Sequence, residues 1–174
     1  MNWKDKIKKL IVIKKELIKL DTEGLWDFYE PEDAGSEKEL GAVEEYLKYE
    51  LDKEYKDFLR CANGWKSIFQ SIDLFGTNEL IASKEIYDTD MLMTTLSPEG
   101  AFQAAGLSEN ELLPIAANKD TTDLFVITKK YSNNPGMVIW FAGYEIERYD
   151  SFQKFFSAIN KYNELQLVNL KQSL

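Results

Sequence analysis

The sequence contains no histidine, which removes the usual general base, the commonest zinc ligand and the imidazole of every Ser-His or Cys-His catalytic arrangement. A single cysteine, Cys61, can form neither an internal disulfide nor a cysteine metal cluster, and this suits a reducing compartment such as the cytoplasm. Beside Ala62 on an expected helix, Cys61 reads as a small buried hydrophobe. The nine glycines are scattered, so no glycine-rich phosphate loop of either kind exists. No stretch approaches the ~20 apolar residues that cross a bilayer. No Gly-, Ser- or Pro-rich linker divides the chain, and no internal repeat is visible. We therefore expect one domain over residues 1–174, with an N-terminal helical extension over residues 1–35.

Basic charge is also scarce. The net charge is −9, against a phosphate-binding surface, because affinity for nucleic acid comes largely from Lys and Arg displacing counterions. The charge is unevenly placed. Residues 1–20 hold seven lysines against Asp5 and Glu16, net +5, which leaves 14 basic and 28 acidic groups, net −14, for residues 21–174. An acidic body fits a basic protein partner, and it also serves solubility alone.

What is present is a legible succession of elements. Trp3 to Leu20 places Trp3, Ile7, Leu10, Ile11, Leu17 and Ile18 near one side, an amphipathic helix expected to pack on the acidic body rather than on a membrane. Its lysines interrupt every apolar run, unlike a signal peptide. Asp21 to Gly35 reads as an irregular connector anchored by Trp26, Phe28 and Tyr29. Ser36-Glu37-Lys38-Glu39 is a capping box that starts a helix at Glu37. The stretch Tyr46 to Trp65 reads as helical, with Leu51, Tyr55, Phe58, Leu59 and Ala62 on one face, a cap at Asp52 and a stop at Asn63-Gly64. Ile68-Phe69 and Ile72 to Phe75 read as two short strands or a strand and a bulge, and the ambiguous stretch Asn78 to Thr95 is read as helix, with Ser83 before Lys84 to Tyr87 suggesting a helical turn. Ser97-Pro98 starts and Gly106 stops a further helix.

Leu112 to Ala117, Leu124 to Thr128, Met137 to Phe141 and Glu145 to Tyr149 are short β-branched and aromatic runs separated by turn sequences, so they are expected to pair antiparallel. Asp150-Ser151 caps a last helix with an apolar stripe of Phe152, Phe155, Phe156 and Ile159. The fold class is therefore α+β, an antiparallel sheet of about four to six strands with helices against one side.

Three separated pieces resemble the SUKH superfamily, the Smi/Knr-type proteins that include bacterial toxin-immunity proteins and fungal cell-wall-assembly regulators. They are the Glu37–Gly64 helix pair with Leu40-Gly41, Tyr55, Phe58-Leu59 and Asn63-Gly64; Leu113-Pro114-Ile115-Ala116 followed by Asp123-Leu124-Phe125; and Gly136 to Trp140 running into Ser151-Phe152 and Phe155-Phe156. Leu51-Asp52 stands where the family usually has Leu-Pro. The resemblance spans roughly Ser36 to Ile159, is weakest over Asn78 to Asn110, and does not carry the lysine-rich first helix. It implies a mixed helix and sheet fold without catalysis, used as a binding module; the residues themselves lead us to expect no cofactor and no metal site. The module's expected use is neutralisation of a cognate polymorphic toxin domain, such as a nuclease, with regulation of cell-wall or envelope synthesis as the alternative.

Asp120 and Asp123 flank Thr121-Thr122 in an expected hairpin turn, where these residues are ordinary turn formers and lack the alternating ligands of a calcium loop. Asp88 and Asp90 read as solvated acids. Ser36 and Ser97 are explained by capping. The tryptophans leave two alternatives. Trp65 and Trp140 are core, or, if Ile139 and Phe141 point inward, Trp140 points outward and joins Trp65, Asp73, Asp120, Asp123 and Glu145 in an acidic, aromatic partner-binding surface. No catalytic residue is expected.

Overall fold

The computed structural model describes residues 2–96 and 100–173; Ser97-Pro98, the expected helix start, lies outside the described residues. Three helices come first: α1 (Trp3–Leu20), α2 (Glu37–Leu47) and α3 (Lys53–Leu59). Ser36 and Glu39 form the expected capping box, the Glu39 N–H donating to Ser36 Oγ at 3.2 Å and the Ser36 N–H to Glu39 Oε2 at 2.8 Å. Asp52 caps α3 by accepting the Tyr55 N–H at 3.0 Å. The helical stretch expected from Tyr46 onward is broken, because Lys48 takes a left-handed φ of 64° at the end of α2 and α3 stops at Leu59.

The strands are β1 (Trp65–Phe69), β2 (Ile72–Leu74), β3 (Leu112–Ala117), β4 (Asp123–Thr128), β5 (Val138–Ala142) and β6 (Glu145–Tyr149). They make one antiparallel sheet in the order β1-β2-β3-β4-β5-β6, six strands that each pair with their neighbours in sequence. Between β2 and β3 lie α4 (Thr77–Tyr87), α5 (Thr89–Leu96) and α6 (Ala101–Ala104), and the chain closes with α7 (Phe152–Ser173).

Helices cover both faces of the sheet, not one. The register aligns Leu74, Ala116, Phe125, Trp140 and Glu147 on a first face and Asp73, Ala117, Leu124 and Phe141 on the other. On the first face α7 packs Phe155 against Phe125 at 5.3 Å. On the second, Phe102 of α6 meets Phe141 edge-on at 5.2 Å, and Tyr87 of α4 packs on Phe75 at 4.6 Å. Five consecutive buried residues in β4, Leu124 to Thr128, record this double coverage, because a strand open to water on one side alternates.

The α1 helix packs on the body chiefly along α7, with Lys9 paired to Glu164 at 2.7 Å and Lys15 to Glu30 of the acidic connector at 2.9 Å. Trp3 enters an aromatic nest, 5.6 Å from Phe58, 5.6 Å from Phe152 and 5.3 Å from Phe156. Burying each such ring is worth about 1.5–3 kcal/mol. Ile13 is buried, whereas Ile18 is exposed. Lys14 is 5% exposed and donates to the Ser67 carbonyl at 2.5 Å; Ser67 sits at the β1 irregularity with φ 48°.

A clasp of two glycines joins the exit of α3 to the start of α4. Gly64 has φ 98°, and a Cβ there would meet Gly76 N at 2.6 Å; a Cβ on Gly76 would meet the Asn63 carbonyl oxygen at 2.0 Å. Only glycine lets these two backbones touch. Around the contact, Asn63 accepts the Thr77 N–H and donates to Thr77 Oγ1, each at 2.8 Å. The Gly76 N–H donates to Glu79 Oε2 at 3.0 Å, so α4 starts here and not at Ser83, which is buried and accepts from the Thr89 hydroxyl at 3.2 Å.

Candidate partner-binding face

The six residues expected at a partner surface occupy different environments. Trp65 is 1% exposed, and its indole N–H donates to the Tyr29 carbonyl at 2.9 Å, so it is a core residue that pins the connector to β1. Asp73 faces α4, where its carboxylate accepts the Ser67 N–H and the Tyr87 hydroxyl, both at 2.7 Å. The Tyr87 phenol is pushed well above its ordinary pKa by burial and then by the adjoining Asp73 carboxylate. Asp73 is thus a partly buried clamp between sheet and helix.

Trp140 does point away from Ile139 and Phe141, but that face is the one beneath α7. Its ring stacks on Phe125 at 5.1 Å and lies 6.5 Å from Tyr162 of α7, which leaves it half-buried. Its indole N–H donates to Asp123 Oδ1 at 2.7 Å, and the other oxygen of Asp123 accepts the Thr121 hydroxyl at 2.6 Å. Glu145 is paired with Arg148 at 2.6 Å, and the same guanidinium donates to the Ala105 carbonyl at 2.8 Å beside α6. Trp140 and Asp123 therefore belong to one face of the sheet, and Asp73 to the other.

The structure instead brings Asp73 and Asp120 together at the rim. They line a polar hollow of about 290 Å³ with Asp27, Tyr29, Lys66, Ser71 and Lys119, between the acidic connector and the tips of the β1–β2 and β3–β4 hairpins. A second hollow of about 330 Å³ is lined by Glu32, Asp33, Glu39, Asn63, Asn78 and Glu79, and it shares Lys66 with the first. The glycine clasp sets this second hollow, because it fixes Asn63 against the first turn of α4.

Seven carboxylates thus face two lysines across a continuous concave surface. Glu39, Asp73 and Glu79 are engaged by backbone donors. Asp27, Glu32, Asp33 and Asp120 make no ion pair among the described residues, and all four are exposed. Coulomb energy between such surface charges and a docking cation is modest per pair, yet the summed field acts on the approach of a whole basic face.

Sequence reasoning missed Asp27, Glu32, Asp33, Glu39 and Glu79. A signal existed, since residues 21–35 carry six acids and no Lys or Arg. A larger groove of about 710 Å³ between α2, α4, α5 and β3 is close to neutral, with Lys84 and Lys129 offsetting Asp90 and Glu109. Among the described residues no group of three or more acid or cysteine side chains converges as a metal site, and no helix is long and apolar enough to cross a membrane.

Residues 34–158 match the SMI1 / KNR4 family (SUKH-1), well over half of the chain. The chain belongs to this family. No curated protein matches it significantly. In this SUKH-1 chain the family region holds the whole sheet, the glycine clasp and most of both acidic hollows, while α1 and the C-terminal two-thirds of α7 lie outside it.

Proposed function

We propose that this SUKH-1 protein is a non-catalytic immunity protein of the cytoplasm that binds and neutralises a cognate toxin domain, and that the two acidic hollows meeting at Lys66 receive a basic face of that toxin. The supporting observation is the set of four exposed carboxylates, Asp27, Glu32, Asp33 and Asp120, which make no ion pair with the protein's own cations among the described residues. A nuclease domain is the fitting class of toxin, because it must present cations to phosphates, and an acidic inhibitor competes for that surface while speeding encounter. Ion pairs at the rim act mainly on association rate and on salt dependence.

The test is co-expression with the basic C-terminal domain of a toxin encoded beside this protein. The wild-type chain is expected to restore growth and to co-purify, and the triple variant Glu32→Lys/Asp33→Lys/Asp120→Lys to lose both while melting at the wild-type temperature. Absence of rescue and of a complex would overturn the proposal. Recovery of envelope-synthesis enzymes in a pull-down, with no toxin, would support a scaffold role in cell-wall synthesis instead.

A further inference from the structure

The α1 and α7 helices form one layer on the Trp140 face and run in the same direction, with Trp3 against Phe152 and Phe156 at one end and Lys9 paired with Glu164 at 2.7 Å farther along. Together they carry ten lysines against Asp5, Glu16 and Glu164, net +7, which leaves −16 for the remainder of a chain whose total is −9. The rest of the protein offsets part of the lysine helix, pairing Lys9 with Glu164 and Lys15 with Glu30. Lys4, Lys8, Lys154, Lys161 and Lys171 are exposed and make no ion pair among the described residues.

Aliphatic side chains stand exposed among these lysines. Val12 is 62% exposed on the same α1 line as Lys4 and Lys8, a line that continues to Lys15 and Lys19, which are paired with Glu30 at 2.9 Å and Glu16 at 2.7 Å; on α7 Leu165 is 50% and Val168 47% exposed, following Lys154 and Lys161 at helical spacing. Neither helix contains an arginine. A nucleic-acid face combines cations with aromatic stacking platforms or with arginine forks. Lysines interleaved with exposed aliphatics match a surface that enters the headgroup boundary of an anionic bilayer.

From this we infer that the α1–α7 layer is a peripheral docking face for an anionic lipid surface. The lysines meet the headgroup phosphates, and Val12, Leu165 and Val168 enter the boundary between headgroups and acyl chains. The acidic remainder is repelled by the same charge, so the α1–α7 layer and not the acidic hollows meets the lipid. This inference does not depend on the toxin assignment.

The experiment is co-sedimentation of the full chain with phosphatidylcholine vesicles, with and without phosphatidylglycerol, at low and high salt. Binding is expected only with phosphatidylglycerol and is expected to weaken with salt. Each lysine neutralised on the face lowers the partition coefficient about fivefold, so Lys8→Glu/Lys161→Glu abolishes binding at moderate lipid while its circular dichroism matches wild type. Val12→Ser/Leu165→Ser is expected to weaken binding with the lysines intact. The inference is overturned if the wild-type protein stays in solution at low salt, if either double variant binds as wild type does, or if duplex DNA at equal phosphate concentration binds more tightly than the vesicles.

Discussion

Lys14 offers a quantitative test of the packing between α1 and the sheet. The ammonium is buried with one hydrogen bond, to the Ser67 carbonyl, and burial lowers its pKa from 10.5 to about 8. At about 1.4 kcal/mol per pKa unit, keeping it charged at pH 7 costs the fold about 3 kcal/mol. The unfolded chain holds the proton up to its ordinary pKa of 10.5, the folded chain only to about 8. Between these values the unfolded state binds more protons, so stability rises with pH. The penalty is complete below the folded pKa and is relieved as pH climbs toward 10.5. Lys14→Met abolishes this pH dependence and leaves the Ser67 carbonyl without its donor, a loss of about 1–3 kcal/mol. At neutral pH the two changes nearly cancel. At about pH 10 the wild-type protein gains roughly 2 kcal/mol relative to the variant. In urea, where slopes are about 1–3 kcal/mol per molar, that corresponds to a change of about 1 M in the difference between their midpoints. Other tyrosines and lysines titrate in the same range, and the wild-type-minus-variant difference removes them. If that difference is the same at both pH values, Lys14 is not a buried ammonium and the seating of α1 is wrong.

Other substitutions separate framework from recognition. Gly76→Ala drives a methyl group into the Asn63 carbonyl, and Gly64→Val adds a β-branched side chain at φ 98° against Gly76 N; each is expected to lower stability by at least about 3 kcal/mol in thermal or urea unfolding. Asp73→Ala strips the acceptor from the Ser67 N–H and the Tyr87 hydroxyl, with an expected loss of about 2–3 kcal/mol by urea titration. Single reversals at Glu32 or Asp120 are expected to leave the melting temperature unchanged. Ser36→Ala removes the α2 cap, for about 1 kcal/mol in urea unfolding.

Much of the fold could be read from local chemistry. Ser36 with Glu39, and Asp52 before Tyr55, announce their helices because a cap is a short-range hydrogen bond between neighbours in sequence. The turn residues between β3, β4, β5 and β6 likewise force antiparallel neighbours. Helices between β2 and β3 are expected, but their place on the second face of the sheet is hidden. The first of them begins at Gly76, where the cap is supplied by the distant Asn63 side chain and by Glu79, and Ala82 interrupts its periodicity with non-helical torsions. Setting all helices on one side leaves Asp73 uncovered, since strand alternation says which face a residue takes and not what covers it. Trp140 shows the same limit: its direction follows from alternation, while its shelter under Tyr162 comes from a helix extending far beyond the Phe152–Ile159 stripe. The acidic hollows are assembled from residues as far apart as Asp27 and Asp120, and no local pattern announces such a meeting.

The neighbour-to-neighbour order of the six strands bears on how the chain reaches this state. Each hairpin closes a contact already near in sequence except the step from β2 to β3, so the sheet can assemble by successive local zipping. Trp3 is different, because its nest contains Phe152 and Phe156 from the far end of the chain. Closing so long a loop is entropically costly until the nest exists to reward it. The α1 helix therefore cannot complete this nest until α7 has been made, and in the interval the nascent chain carries an unseated lysine-rich helix whose ring cluster is still incomplete.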